Sequence, residues 1–132
     1  MSEEVKKKVF SRIASTKSWF SAGRAKIRFG TDIVHVRFCS TNRRAPSKYK
    51  FNINPNTLSS DYELWICGDP ETYYLIPIDV IKKIYSDPNT YKDYRYQGIK
   101  VVAVDSDSHL VTYARGSKSL SLKPYLRSDL TQ

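Results

Sequence analysis

Asn42-Arg43-Arg44, with Lys48 and Lys50 close behind, is the stretch whose side chains carry the most recognisable chemistry. A guanidinium grips phosphate through paired N–H donors or matches the edge of guanine. An ammonium adds mobile charge, and an Asn amide matches the edge of adenine. Upstream, Arg24, Lys26, Arg28 and Arg37 alternate with apolar residues. On strands, that alternation places Lys26 and Arg28 on one face, and a hairpin brings Arg37 beside them. Like charges set opposite one another across a sheet destabilise it unless an anion lies between them. Both groups of residues therefore point toward an anionic partner.

Aromatic residues supply a second kind of chemistry. The chain holds ten Tyr and two Trp, and flat rings stack on exposed bases. Tyr91, Tyr94 and Tyr96, interleaved with Lys92 and Arg95, are the stacking candidates, whereas Trp65 and Tyr73 fall in strand-like runs and read as core. His35 reads as a satisfied structural histidine and His109 as a solvent-exposed turn residue. Asp61 and Glu63 share a strand face but have no evident base or ligand beside them. Cys39 and Cys67 read as isolated buried thiols, with a single disulfide across the sheet as the alternative. Two Cys and two distant His do not form a zinc pattern. No P-loop, dinucleotide fingerprint, nucleophile elbow or metalloprotease helix is present.

The charge is divided unequally along the chain. Positions 1–50 hold thirteen of the 22 Lys and Arg beside three acids, a balance of +10; positions 51–132 hold nine basic and ten acidic residues, a balance of −1, for a net +9. Such asymmetry gathers polyanions, of which nucleic acid is the ordinary cellular case. The 132 residues are about one domain by length, and an apolar content of 40% is ample for a core. No apolar run approaches a membrane span and the start lacks a signal-peptide pattern, so the expectation is an intracellular, cytoplasmic chain with no membrane partner.

These side chains need a framework to position them. Val5, Val9, Phe10 and Ile13 recur at helical spacing and predict a helix over 3–20 closed by Gly23, with Lys6, Lys7 and Lys8 as its solvated face. Strand patterns follow at 26–30 and 32–39, with Gly30-Thr31-Asp32 as the turn between them, then a basic loop at 40–48 and a strand at 49–53. Asn54-Pro-Asn-Thr57 is turn chemistry suited to capping a short helix that leads to Asp61. Strands at 62–67 and 73–76 precede a brief helix at 78–85 and a Tyr-rich loop at 86–98. A hairpin of 99–104 with 110–114 and a last strand at 120–122 complete the chain. The expectation is a single α+β domain, 1–132, with an N-terminal helix, a mainly antiparallel or mixed sheet and a short second helix. In the alternative, strands 99–122 curl over into a closed barrel.

Four segments taken in order carry a resemblance: His35-Val-Arg-Phe-Cys-Ser-Thr-Asn-Arg-Arg44, Tyr49-Lys-Phe-Asn-Ile53, Asp61-Tyr-Glu-Leu-Trp-Ile-Cys67 and Tyr73-Tyr-Leu-Ile-Pro77. Together they resemble the second half of the restriction-endonuclease-like (PD-(D/E)xK) proteins. That resemblance, over roughly residues 25–81, implies a nucleic-acid-binding scaffold and, in active members, a carboxylate cluster holding Mg²⁺. Asp32 falls where the metal-binding Asp of that family could sit. The Glu-x-Lys position reads His35-Val-Arg37, and Arg37 stays protonated and cannot serve as a base. The one literal Glu-x-Lys, Glu4-Val-Lys6, lies in the N-terminal helix.

The resulting expectation is a non-catalytic nucleic-acid-binding protein, with duplex DNA favoured, no cofactor, and a homodimer compatible with the pattern. Its contacts would be Arg24, Lys26, Arg28, Arg37, Asn42, Arg43, Arg44, Lys48 and Lys50. Two alternatives stand beside it. One is a Mg²⁺-dependent nuclease using Asp32 with Glu63 or another distant acid, and the other a subunit that docks on an acidic protein.

Overall fold

Apolar residues at every second position account for most of the strands in this chain, because a strand turns successive side chains to opposite faces. A computed structural model describes residues 2–13, 19–23 and 25–130. In chain order the elements are α1 (Ser2–Ile13), β1 (Trp19–Gly23), β2 (Lys26–Phe29), β3 (Asp32–Cys39), β4 (Lys48–Ile53), β5 (Tyr62–Cys67), β6 (Tyr73–Pro77), α2 (Ile78–Tyr85), β7 (Lys100–Asp105), β8 (Leu110–Ala114) and β9 (Lys118–Ser121). The α+β class, the N-terminal helix and the short second helix are as the sequence implies.

The strands form two sheets rather than one. The first has the order β1-β2-β3-β5-β6 and the second β4-β7-β8-β9. All pairings are antiparallel except β3 with β5, which run parallel with His35 opposite Glu63 and Arg37 opposite Trp65. Parallel neighbours need a crossover, and here the intervening chain makes it by way of β4, which joins the other sheet.

One face of the five-stranded sheet carries Phe29, Val34, Val36, Leu64, Ile66 and Leu75, and it buries Val9, Phe10 and Ile13 of α1. The opposite face carries Trp65, Cys67, Tyr74 and Ile76. It packs on Tyr49, Phe51 and Ile53 of β4, on Val102, Val104 and Val111, and on Ile81, Ile84 and Tyr85 of α2. Phe51 stacks on Trp65 across the two sheets, with centroids 4.5 Å apart and planes 9° from parallel.

Several expectations need correction. The described helix spans Ser2–Ile13, residues 14–18 lie outside the described ones, and Trp19–Gly23 is a strand, so the helix expected over 3–20 does not extend to Trp19. Val9, Phe10 and Ile13 are buried as their helical spacing implies, but the aromatic pair Trp19-Phe20 favours extended backbone once β2 offers hydrogen bonds. The second sheet takes the place of a barrel. His109 is half-buried and its Nδ1 pairs with the Tyr74 hydroxyl at 2.8 Å. Cys39 and Cys67 are both free, yet they are register partners on adjacent strands rather than isolated thiols. Burial pushes the Cys67 thiol well up.

Gly68 is the tightest turn position. Its φ is +82°, and an added Cβ would collide with Thr41 Oγ1 and lie 2.9 Å from the Tyr49 hydroxyl, two oxygens that hydrogen-bond at 3.0 Å. Gly68→Ala is expected to cost about 2–3 kcal/mol, from left-handed strain and a lost hydrogen bond. Urea unfolding should show it as a lower midpoint at an unchanged slope.

Among the described residues no helix is long and apolar enough to cross a membrane.

Candidate nucleic-acid interface

β3 and β4 follow one another in sequence but enter different sheets, so they diverge and leave a cleft between them. It measures about 440 Å³ and is lined by Ala25, His35, Val36, Arg37, Phe38, Lys50, Phe51 and Asn52. Its polar wall follows from alternation on β3: Val34, Val36 and Phe38 point toward α1, so His35 and Arg37 point the other way.

Behind that wall sits Glu63, only 1% exposed. Arg37 Nε donates to its Oε1 at 2.7 Å and Trp65 Nε1 donates to the same oxygen at 3.2 Å. His35 Nδ1 lies 3.4 Å from Oε2, within ion-pair range but without hydrogen-bond alignment, and it has no other partner. Burial disfavours the Glu63 carboxylate, but the His35 ring and the Arg37 guanidinium outweigh it and hold the carboxyl below its usual range. Tyr85 is buried in the core beside Phe51 and Trp65. Its hydroxyl donates to the Phe51 carbonyl at 3.1 Å, and burial pushes the phenol well up.

Lys50 and Asn52 also border a second depression, on the outer face of the four-stranded sheet. Strict alternation on β4 buries Tyr49, Phe51 and Ile53 and turns Lys48, Lys50 and Asn52 outward. In register with Lys50 stand Ala103, Thr112 and Ser119. That row of small side chains leaves a shallow groove of about 410 Å³, whose rim includes Tyr91, Lys92 and Tyr94.

The 86–98 loop is held in place. Tyr91 N donates to Tyr113 O and Tyr91 O accepts from Val101 N, both at 2.9 Å, so this residue bridges β8 and β7. Asp93 Oδ1 accepts from the backbone N–H groups of Arg95 at 2.7 Å and Tyr96 at 3.2 Å, which closes a turn. On that turn Tyr94 is 89% exposed, with the Arg95 guanidinium 5.6 Å from its ring centre. Tyr91 and Lys92 also line a further hollow with Asn89 and Arg115. One continuous strip therefore runs from Arg37 past Lys50 and Asn52 to Tyr94, Tyr91 and Arg115.

The residues singled out from sequence divide into groups. Arg24 lies outside the described residues. Lys26, Arg28 and Arg37 share one sheet face, as expected from the β2–β3 register. Lys26 Nζ donates to Ser59 Oγ at 2.6 Å, a neutral partner that leaves its charge uncompensated. Two expected contacts are neutralised by acids from the second half of the chain: Arg37 by Glu63, and Lys48 by Asp105 at 2.9 Å. Arg28, Arg43, Arg44 and Lys50 have no acidic partner among the described residues. Asn42 spends its Oδ1 on the Arg44 N–H at 2.9 Å, shaping the turn that displays the two arginines. That loop joins β3 to β4 and so closes one end of the cleft. Tyr96 is exposed but lies off the groove.

Asp32 and Glu63 do not come together. Asp32 shares a face with Val34, toward α1, whereas Glu63 faces the other sheet. Asp61 is also occupied, its Oδ2 accepting from Ile33 N at 2.8 Å. Among the described residues no group of three or more His, Cys, Asp or Glu is placed to share a metal ion.

Sequence reasoning missed Glu63 as the anchor of Arg37. The available signal was an acid beginning the apolar run Leu64-Trp65-Ile66-Cys67, since a carboxylate in such a run needs a counter-charge. No protein-family model, curated protein or solved structure matches the chain.

Proposed function

We propose that the chain binds nucleic acid along the strip from Arg37 to Tyr94, prefers a single strand, and does not cleave it. The carrying observation is that Lys50 and Asn52 border both the basic cleft and the tyrosine-rimmed groove. Phosphate-binding cations and stacking rings thus lie on one path, the combination that single-strand binders use. Tyr94 moves the expected partner from duplex DNA to a single strand, because a ring so exposed stacks only on bases that are not already paired. The non-catalytic reading is supported by the carboxylates: Asp32 and Glu63 project from opposite faces, and Glu63 is engaged with Arg37 and Trp65.

Fluorescence anisotropy with a labelled oligothymidylate and its duplex tests this. Tyr94→Ala should weaken single-strand binding by roughly 5–150-fold, the range for losing one base stack, with little effect on duplex. Tyr96→Ala, exposed but off the groove, should change neither. Equal losses for both variants would sink the groove as the stacking site. Absence of binding to any nucleic acid at low salt would redirect the strip to an acidic protein surface.

A further inference from the structure

We infer that the cleft between β3 and β4 is a phosphomonoester subsite, which takes the terminal phosphate of a bound strand and is built around an Arg37 guanidinium oriented from behind by buried Glu63. The identity of the phosphate's carrier rests on the nucleic-acid reading; the subsite itself does not.

The argument starts from what Arg37 leaves free. Its Nε is committed to Glu63 at 2.7 Å, and its other N–H donors have no protein acceptor among the described residues. A guanidinium anchored on one edge loses little freedom when the opposite edge takes a ligand, which is the advantage of a preorganised donor. Across the cleft, Lys50 and the Asn52 amide have no partner among the described residues, and both line the same space. His35 forms part of the wall, its Nδ1 turned toward Glu63. Lys26 lies beside His35 on the same sheet face, with no acidic partner among the described residues.

The donor set suits a phosphomonoester better than a chain phosphodiester. The monoester brings close to two negative charges and three terminal oxygens, to be shared among Arg37, Lys50 and Asn52. Its excess charge matters here, because Glu63 already offsets the Arg37 cation and leaves Lys50 and Lys26 to be answered. Ala25, Val36, Phe38 and Phe51 complete the lining, Val36 and Phe38 with their side chains turned toward α1.

Two titrations test it. In the first, inorganic phosphate is added while the Arg37 Nε–H and Trp65 Nε1–H resonances are followed, since both protons sit on Glu63 Oε1 and report any pull on the guanidinium. Saturable shifts of both, lost in Lys50→Ala, are expected; unmoved resonances at millimolar phosphate would overturn the subsite. In the second, an oligothymidylate is compared with a 5′-phosphate, a 3′-phosphate or free hydroxyls. One phosphorylated end should bind at least tenfold more tightly, and Lys50→Ala should reduce that preference. Equal affinities for all three would overturn end recognition while strand binding stood. Phosphate shifts with no oligonucleotide bound would overturn the nucleic-acid reading and leave the subsite in place. Because Arg37→Ala strands a buried carboxylate, Arg37→Lys serves as the milder companion: it keeps a charge and should lose the phosphate-dependent shift of Trp65.

Discussion

Glu63→Ala should lower the stability of the fold by about 3–5 kcal/mol, the usual consequence of stranding one member of a buried ion pair. Two donors lose their acceptor together, the Arg37 guanidinium and the Trp65 indole N–H, and the His35 ring loses the carboxylate 3.4 Å from its Nδ1. Trp65 is fully buried and stacked on Phe51, so the damage reaches the seam between the sheets. Glu63→Gln keeps an oxygen for Arg37 and should lose less. Guanidinium unfolding monitored by far-UV circular dichroism decides it; a loss below about 1 kcal/mol for Glu63→Ala would show that the pair contributes little.

The same carboxyl predicts a pH dependence with a definite direction. Its folded pKa lies below the unfolded value, so the folded state binds fewer protons and stability rises with pH. The contribution is complete above the unfolded carboxylate value of about 4.3 and is lost as pH falls through the lower folded one. The wild-type protein should therefore lose stability on acidification below that point, and Glu63→Gln should lose less over the same window. Parallel curves for the two would remove Glu63 as the titrating group.

The second large effect concerns salt. If the strip and its arginine loop engage about four phosphates of a single strand, affinity should fall with a logarithmic slope of about −2.8, a loss of roughly 50-fold between 50 and 200 mM salt. Replacing Arg43 and Arg44 together by Ala should make the slope shallower by about 1.4, because each removes one phosphate contact. Neither side chain has a partner among the described residues, and the Arg44 N–H that bonds to Asn42 Oδ1 is kept in the Ala variant, so stability should hardly change. Tyr94→Ala, by contrast, should weaken binding and leave the slope alone. A slope near zero in the folded wild-type protein would end the electrostatic reading.

Much of the fold was legible because its signals are local. Alternation in Tyr49–Ile53 predicts its burial pattern residue by residue, and the structure buries Tyr49, Phe51 and Ile53 as expected. Gly30-Thr31 turns between β2 and β3, and Gly30 has the positive φ of 63° that favours glycine. Pro77 ends β6 at the start of a helix over 78–85, as the pattern implies. The missed strand, Trp19–Gly23, exists only because β2 pairs with it, and that partner is invisible to a local window.

The site was half legible for the same reason. Residue type alone identified the cations and tyrosines, since charge and ring are carried by each side chain wherever it lies. Which of them are free is a long-range matter. Arg37 meets an acid 26 positions away and Lys48 one 57 positions away, while Arg43, Arg44 and Lys50 do not. Composition, helix period and strand alternation settled the elements and the sign of the partner's charge, because those depend on neighbours a few residues apart. The parallel pairing of β3 with β5, the departure of β4 into a second sheet, and hence the cleft and its buried Glu63, were decided by tertiary packing. Strand alternation says only that a face is shared; which strand lies opposite depends on burying apolar surface across the whole chain.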